Sequence, residues 1–358
     1  MFGNKVYELP LARDYVSRWG VTEAVRELLQ NAIDSPAPFE VTQSGSVLTI
    51  TSRGVRLEPS TLVLGRTSKA DDASSIGQFG EGYKLALLVL CREAKKVSVI
   101  SGKTHWTPEF RVSGQFGIET LHIIESRGEE FFDGVRFRIY DLNGDEQAAI
   151  KQSCLLMQPQ YPDTIMTPHG DILPNLPGKL FVGGLYVCDT QLNYGYNLNA
   201  GEVELERDRQ TVANWDLRYK TKNVWLSTMD YDHIAEMVEK DMPDVNLLEY
   251  SATEIVKEAC YKHFVKHRGT DVVIAKTQKE LNDCVERGMK VVIVQSSAYH
   301  SLVSTSRSYK QSPTAIPAEL PAETLTRWFN ENHKYMPRIP ATNFKRLLEK
   351  AQKWRNHE

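Results

Sequence analysis

Two short stretches near the N-terminus constrain the fold of this chain more than any other part of it. The first, from Val21 to Ile33, contains no proline or glycine and predicts a helix. Glu27, Asn31 and Asp34 are spaced by four and then three positions, so they share one face of that helix. The apolar residues lie on the other face. The pattern predicts a helix that is buried on one side and carries polar chemistry on the other.

The second stretch carries glycines at Gly77, Gly80 and Gly82 and leads into an apolar helix predicted from Tyr83 to Cys91. Glycines allow backbone N–H groups to approach phosphate oxygens, and the helix N-terminus that follows favours negative charge. A glycine-rich turn before a helix is often only a tight turn. Its combination with the polar face of the first helix indicates an anion-binding site.

These residues resemble the ATP-binding domain shared by gyrase B, Hsp90, MutL, MORC proteins and sensor histidine kinases, the GHKL superfamily with its Bergerat fold. The first match is Glu-x-x-x-Asn-Ala-x-Asp from Glu27 to Asp34. The second, Ile-Gly-x-Phe-Gly-x-Gly from Ile76 to Gly82, is most similar to Hsp90, and residues 65–69 resemble the lid segment of MutL and MORC proteins. The resemblance covers residues 1–140 and also extends to stand-alone phage and bacterial proteins of the rII type.

The resemblance implies a site for ATP and Mg²⁺. Glu27 would orient the attacking water as a general base, and Asn31 would contact Mg²⁺. The other expected contacts to the nucleotide come from Asp34, Ser52, Gly54, Lys69, Gly77, Gly80, Gly82 and Lys84. For Lys69, a solvated loop lysine is an equally good interpretation.

The sequence departs from the family where the adenine base is expected to bind. Ser52 replaces the aspartate that contacts the adenine amino group, Val135 replaces the threonine that supports it, and Arg56 replaces a glycine. Three interpretations follow: adenine is held by backbone, water and Ser52; the base specificity differs; or nucleotide binding has been lost. The phosphate and magnesium half of the pattern is intact, which favours retained ATP binding.

We predict an α/β (α+β) protein of three domains. Residues 1–145 would form a GHKL-type α/β sandwich, residues 146–250 a smaller transducer-like α/β domain, and residues 251–358 a β-α-β unit with a helical tail. Within these, we expect a short helix over residues 7–19 and a long irregular connection over residues 141–180. Residues 193–199 are expected to form a loop, and the strands of the β-α-β unit, at residues 271–275 and 290–294, to be parallel.

Composition sets the class of protein without identifying a partner. The net charge is −3 and the pI about 6.3, which gives no overall argument for binding nucleic acid or a membrane. The five cysteines form no Cys-x-x-Cys pair, which favours a reducing, cytoplasmic location over a disulfide framework or zinc site. No apolar run is long enough to span a membrane and no signal peptide is visible.

The C-terminal tail is basic and aromatic. From Arg327 to Glu358, lysine and arginine outnumber aspartate and glutamate by eight to three. Interleaved aromatic residues make this a candidate surface for nucleic acid or a protein partner. The alternative is an amphipathic helix that packs its aromatic rings into the body of the protein.

The predicted function is Mg²⁺-dependent ATP binding with slow hydrolysis that drives a conformational or dimerisation switch, in a possible homodimer. The alternative is a non-catalytic GHKL-fold module that senses nucleotide or binds a partner, such as a phage or bacterial regulatory or inhibitor protein. Ser52 and Val135 motivate this alternative. Measured nucleotide binding and phosphate release separate the two.

Overall fold

The computed structural model of the chain describes residues 5–63, 81–203, 214–312 and 321–355. The chain divides into two compact units, Met1–Ser251 and Ala252–Glu358. The first unit contains two separate sheets, and the domain boundary predicted between residues 145 and 146 stays a prediction. Helices and strands are mixed in both units, so the predicted α/β (α+β) class is confirmed.

The first sheet is built around one long strand. Its five strands are β1 (Lys5–Ala12), β2 (Phe39–Ser44), β3 (Val47–Arg53), β4 (Val97–Val112) and β5 (Glu119–Ile139). β4 pairs with β5 along one edge, while β1 and β3 pair with different halves of its other edge. β2 lies beyond β3, and all these pairings are antiparallel.

Three helices belong to this sheet: α1 (Val21–Ile33), α2 (Gly82–Arg92) and α3 (Gly144–Gln152). The buried residues of α1 and α2 form one hydrophobic core with the inward residues of β3, β4 and β5. Because side chains alternate along a strand, Val135 and Ile139 contribute to that core, whereas Arg136 and Arg138 lie on the opposite face. The helices that were predicted from residues 21–33 and 83–91 are confirmed.

The first predicted element is wrong. Residues 7–19 were expected to start a short helix, but residues 5–12 form β1, in which Leu9 and Leu11 are buried. The strand is fixed by antiparallel pairing with β5, from Lys5 opposite Glu125 to Ala12 opposite Thr120. The residues of β1 do not by themselves reveal this partner, because β5 lies far along the chain.

The second sheet has the order β6-β7-β10-β8-β9. Its strands are β6 (Ile165–Thr167), β7 (Gly170–Leu173), β8 (Lys179–Val182), β9 (Leu185–Asp189) and β10 (Gly195–Leu198). The helices α4 (Asn214–Thr228) and α5 (Tyr231–Glu239) and a 3-10 segment (Pro243–Tyr250) complete the unit.

Two expectations for this region are wrong. Residues 141–180 are not one irregular connection, because they contain α3, β6 and β7. Residues 193–199 are not a loop, because β10 lies between β7 and β8 at the centre of the sheet. Tyr196 and Leu198 are fully buried there, so burial in the sheet decides the conformation.

The second unit contains the predicted β-α-β arrangement. Its elements are α6 (Glu254–Arg268), β11 (Val272–Ala275), α7 (Gln278–Glu286), β12 (Lys290–Ile293), α8 (Ser297–Thr305), α9 (Arg307–Lys310), α10 (Pro321–Asn332) and α11 (Arg338–Arg355). β11 and β12 are parallel, which confirms the prediction. In the ranges that the structure describes, no helix combines the length and the apolar character that crossing a membrane requires.

Candidate functional site

Glu27 on α1 lies directly against the start of α2. The side chain of Glu27 is 8% exposed, and a methyl group on Gly82 would overlap its Oε2 atom. The same methyl group would lie 3.6 Å from Asn31 Nδ2. The lack of a side chain at Gly82 therefore allows the carboxylate, the amide and the first turn of α2 to meet. The pairing of the two sequence stretches is a real contact in the fold.

The amide of Asn31 is oriented by its own helix. Its Nδ2 atom donates a 2.9 Å hydrogen bond to the carbonyl oxygen of Glu27, one turn earlier. This bond leaves Oδ1 as the acceptor of the half-buried side chain, and an amide oxygen is a suitable ligand for a hard cation. Asp34 is half-buried at the end of α1, where its backbone N–H donates to Gln30 at 2.8 Å.

The first turn of α2 also holds the chain that precedes residue 64. Lys84 is fully buried, and its Nζ donates a 2.5 Å hydrogen bond to the carbonyl oxygen of Val63. Burial lowers the pKa of Lys84, while the charge of Glu81 opposes that shift. Lys84 was predicted to contact nucleotide, but in this structure its ammonium group binds the backbone.

Tyr83 makes the neighbouring attachment. Its hydroxyl donates to the carbonyl oxygen of Thr61 at 2.8 Å and lies 2.9 Å from the Thr61 hydroxyl. Burial raises the pKa of Tyr83 to about 12. No motif spacing connects Tyr83 with Thr61, so this contact could not be predicted from the sequence.

The two positions expected to surround the base are direct neighbours. Ser52 on β3 is the cross-strand partner of Val135 on β5, and Val135 belongs to the core beneath the helices. Gly134 has a φ of 145°, and a methyl group there would overlap the Ser52 carbonyl oxygen, so glycine is required. Gly54 follows β3 with a φ of 72°. Arg56 is exposed and stacks over the ring of Phe131 at 4.9 Å.

Part of the predicted site lies outside the described residues. Lys69, Gly77 and Gly80 belong to residues 64–80. Of the three predicted phosphate-binding glycines, the structure describes Gly82 alone. Within the described ranges, no group of three His, Cys, Asp or Glu side chains could hold a metal ion. An Mg²⁺ ion at Asn31 would therefore take most of its ligands from phosphate and water.

The aromatic residues of the C-terminal tail are divided between the interior and the surface. Phe329 on α10 is 7% exposed and stacks on Phe344 of α11 with ring centroids 5.5 Å apart. Trp328 is 48% exposed and Tyr335 is 77% exposed. Some rings of the tail therefore pack between its own helices, and others are exposed to solvent.

All five cysteines are free thiols: Cys91, Cys154, Cys188, Cys260 and Cys284. Burial raises the pKa of Cys260 to about 12, so this thiol stays protonated at neutral pH. Cys154, Cys260 and Cys284 are buried, whereas Cys91 and Cys188 are half-buried.

No known family profile matches the chain. The chain is similar to an uncharacterized protein of Mycoplasma pneumoniae, with 25% identity over 236 residues. The aligned region is 61% of this chain and 96% of the relative.

Proposed function

We propose that this chain is a GHKL-type protein that binds ATP with Mg²⁺ and hydrolyses it slowly, so that the bound nucleotide drives a conformational or dimerisation switch. One observation carries the proposal: the Glu27 carboxylate and the Asn31 amide meet the glycine that begins α2. A base, a metal ligand and a helix N-terminus are the groups that phosphate hydrolysis requires.

Each group has a separate role in this proposal. The first N–H groups of α2, those of Gly82 and Tyr83, bind phosphate oxygens, since the start of a helix leaves such groups without helical partners. The N–H groups of Lys84 and Leu85 already donate to the carbonyl oxygen of Glu81. Glu27 accepts a proton from the attacking water, and its position against Gly82 brings that water close to the bound phosphates. Asn31 Oδ1 would contribute a ligand to Mg²⁺, which when bound supplies charge neutralisation for the phosphates.

The proposal is tested by measuring ATP binding and phosphate release together. ATP should bind more tightly in Mg²⁺ than in EDTA, and phosphate should be released slowly. Failure of ATP, ADP and GTP to bind would overturn the proposal. Tight binding without phosphate release would support the non-catalytic, nucleotide-sensing module instead, the candidate that Ser52 and Val135 favour.

Asn31→Ala tests the metal contact directly. Because the amide oxygen would bind the nucleotide through the metal ion, the variant should weaken ATP binding about tenfold in Mg²⁺ and much less in EDTA. The measurement is equilibrium binding of a fluorescent ATP analogue in both conditions. An equal loss in both would mean that the Asn31 side chain is needed for its hydrogen bond to Glu27 rather than for the metal ion.

The wider context of the activity is also part of the proposal. A cytoplasmic location and a homodimer formed in the ATP state follow from the resemblance and from the free cysteines. The exposed rings of Trp328 and Tyr335, on a basic tail, are the proposed contact for a protein or nucleic-acid partner. Size-exclusion chromatography with light scattering, with and without ATP, tests the dimer.

A further inference from the structure

The face of the first sheet that lies opposite α1 and α2 carries a row of cations and aromatic rings. Side chains alternate along β5, so Phe132, Arg136 and Arg138 lie on this outer face while Val135 and Ile139 enter the core. Tyr140 follows in the same alternation. We call this row, with its flanking cations Arg53 on β3 and Lys96 before β4, the outer-face stripe.

The cations of the outer-face stripe are held by the rings. The Arg136 guanidinium lies 4.1 Å from the centroid of Phe132, and that of Arg53 lies 5.1 Å from the same ring. Lys96 Nζ lies 5.6 Å from the centroid of Tyr140. Cation–π contacts of this kind fix the positions of the charges without neutralising them.

The charge of the stripe is not balanced by nearby carboxylates. Among the described residues, Arg53, Arg136 and Arg138 form no ion pair within 4.0 Å. Burial and the charges of Arg138 and Arg53 lower the pKa of Arg136, and Glu40 on β2 opposes this shift. A cluster of unpaired cations on a chain of net charge −3 is complementary to an anionic partner.

We propose that the outer-face stripe binds single-stranded nucleic acid. Arg136 and Arg138 are two positions apart on a strand, or about 6.6 Å, which is comparable with the separation of neighbouring phosphates along an extended chain. Planar guanidinium groups and aromatic rings stack on bases of any sequence. A sheet face can bind a single strand of nucleic acid, whereas proteins recognise a duplex by placing a helix or a β-ribbon in one of its grooves.

This surface is independent of the proposed nucleotide site, because the helices that carry Glu27 and Gly82 cover the other face of the sheet. Nucleic-acid binding at this face is therefore separate from the proposed ATP hydrolysis, and either activity can be disproved without the other. No residue of the stripe is one of the predicted contacts to ATP or Mg²⁺.

The test is fluorescence anisotropy of a labelled oligodeoxythymidylate with the full chain, titrated with salt. Arg136→Gln with Arg138→Gln should weaken binding at least tenfold and lower the slope of log K against log salt by about 1.4, the value for two phosphate contacts to a single strand. Lys262→Gln with Lys266→Gln, at two exposed positions of α6, is the matched control and should bind like the wild type.

Several results would overturn the proposal: no binding by the wild type at low salt, unchanged binding by the Arg136 and Arg138 variant, or an equal loss of binding in the Lys262 and Lys266 variant. Equal affinity for duplex DNA, or equal competition by polyglutamate, would also overturn it. If the first variant does not fold, Arg53→Gln with Lys96→Gln replaces it, because both cations belong to the stripe and are exposed. This second pair should likewise weaken binding several-fold.

Discussion

The side chain of Glu27 packs against the first turn of α2 at Gly82. Because Gly82 has no side chain, Oε2 of Glu27 fits at the start of this helix. Gly82→Ala would displace the carboxylate even though the substitution itself is small. The atom that the methyl group would overlap is the end of a flexible side chain, so the carboxylate would move rather than the backbone.

Glu27→Gln should lower the rate of phosphate release by about 10²–10⁴-fold and leave ATP binding intact, because the amide preserves the shape but cannot accept the proton of the attacking water. Single-turnover phosphate release and equilibrium ATP binding are the two measurements. Glu58→Gln, at an exposed position of the same domain, is the control and should keep the wild-type rate. Unchanged turnover in Glu27→Gln would show that another group activates the water.

Ser52 and Val135 face each other across β3 and β5, so they can be changed together. A hydroxyl can donate or accept, and the wild type should therefore discriminate ATP from GTP weakly. Ser52→Asp with Val135→Thr should favour ATP over GTP by a further ~1–3 kcal/mol, the cost of leaving a buried group unpaired. Competition binding with both nucleotides measures this. If the double variant keeps the wild-type preference, the base is not read at these two positions.

The first turn of α2 anchors this helix to the segment that precedes residue 64. Tyr83 and Lys84 both bond to that segment, at Thr61 and Val63. The proposed phosphate-binding end of the helix is therefore also a structural attachment point. Changes in stability and changes in nucleotide binding are expected to be linked there.

Tyr83→Phe tests that attachment through its pH dependence. The folded state holds the phenolic proton up to a pKa of about 12, compared with an ordinary value of 10.0, so this group stabilises the fold below pH 10 and its contribution is lost as the pH rises towards 12. Between about pH 8 and about pH 11, the wild type should lose about 1.4 kcal/mol more unfolding free energy than Tyr83→Phe. Urea denaturation at both pH values measures it; parallel losses would contradict it.

The second sheet is joined to the segment after α5 by one buried carboxylate. Asp244 is fully buried and accepts hydrogen bonds from the Tyr196 hydroxyl at 2.6 Å, the Asn193 N–H at 2.9 Å and the Tyr194 N–H at 3.2 Å. Trp225 Nε1 donates to the Tyr196 hydroxyl at 2.8 Å. All three acceptor bonds use the two oxygens of Asp244, so both oxygens are required.

Asp244→Asn should lower the unfolding free energy by about 3 kcal/mol, because the amide nitrogen would oppose one of the donors that the buried carboxylate binds. Tyr196→Phe removes both the donor to Asp244 and the acceptor of Trp225 Nε1, and should cost about 2 kcal/mol. Chemical denaturation of both variants gives the comparison. Equal stability of wild type and Asp244→Asn would mean that the two oxygens of Asp244 are not both required.

The helices and strands that could be predicted are those whose own residues carry the sequence pattern. Periodicity and the absence of breakers were enough for α1 and α2, and the parallel strands of the β-α-β unit were also predicted. β1 and β10 were missed because their partners decide their conformation: β1 pairs with the start of β5, and β10 enters the middle of a sheet. No local pattern encodes such partners.

The contacts of the candidate site also fall into two groups, those that the sequence could predict and those that it could not. The contact of Glu27 with Gly82 could be expected because each residue belongs to a recognisable stretch of sequence. The attachment of Lys84 to Val63 could not, because a lysine after a glycine turn is equally suited to phosphate or to a backbone carbonyl. The outer-face stripe was not predicted, because its cation–π contacts join rings on and next to β5 to cations elsewhere in the sequence.

The position of β5 has a consequence for how the chain is made. β1, β3 and β4 all pair with β5, yet β5 follows them in the chain and ends at Ile139. When a nascent chain has emerged only as far as β4, the central strand of the first sheet is missing, and the apolar faces of α1 and α2 have no complete sheet to pack against. Long-range pairing is slow, and exposed apolar surface aggregates. Synthesis of the N-terminal unit therefore passes through an interval in which protection by a chaperone would matter most.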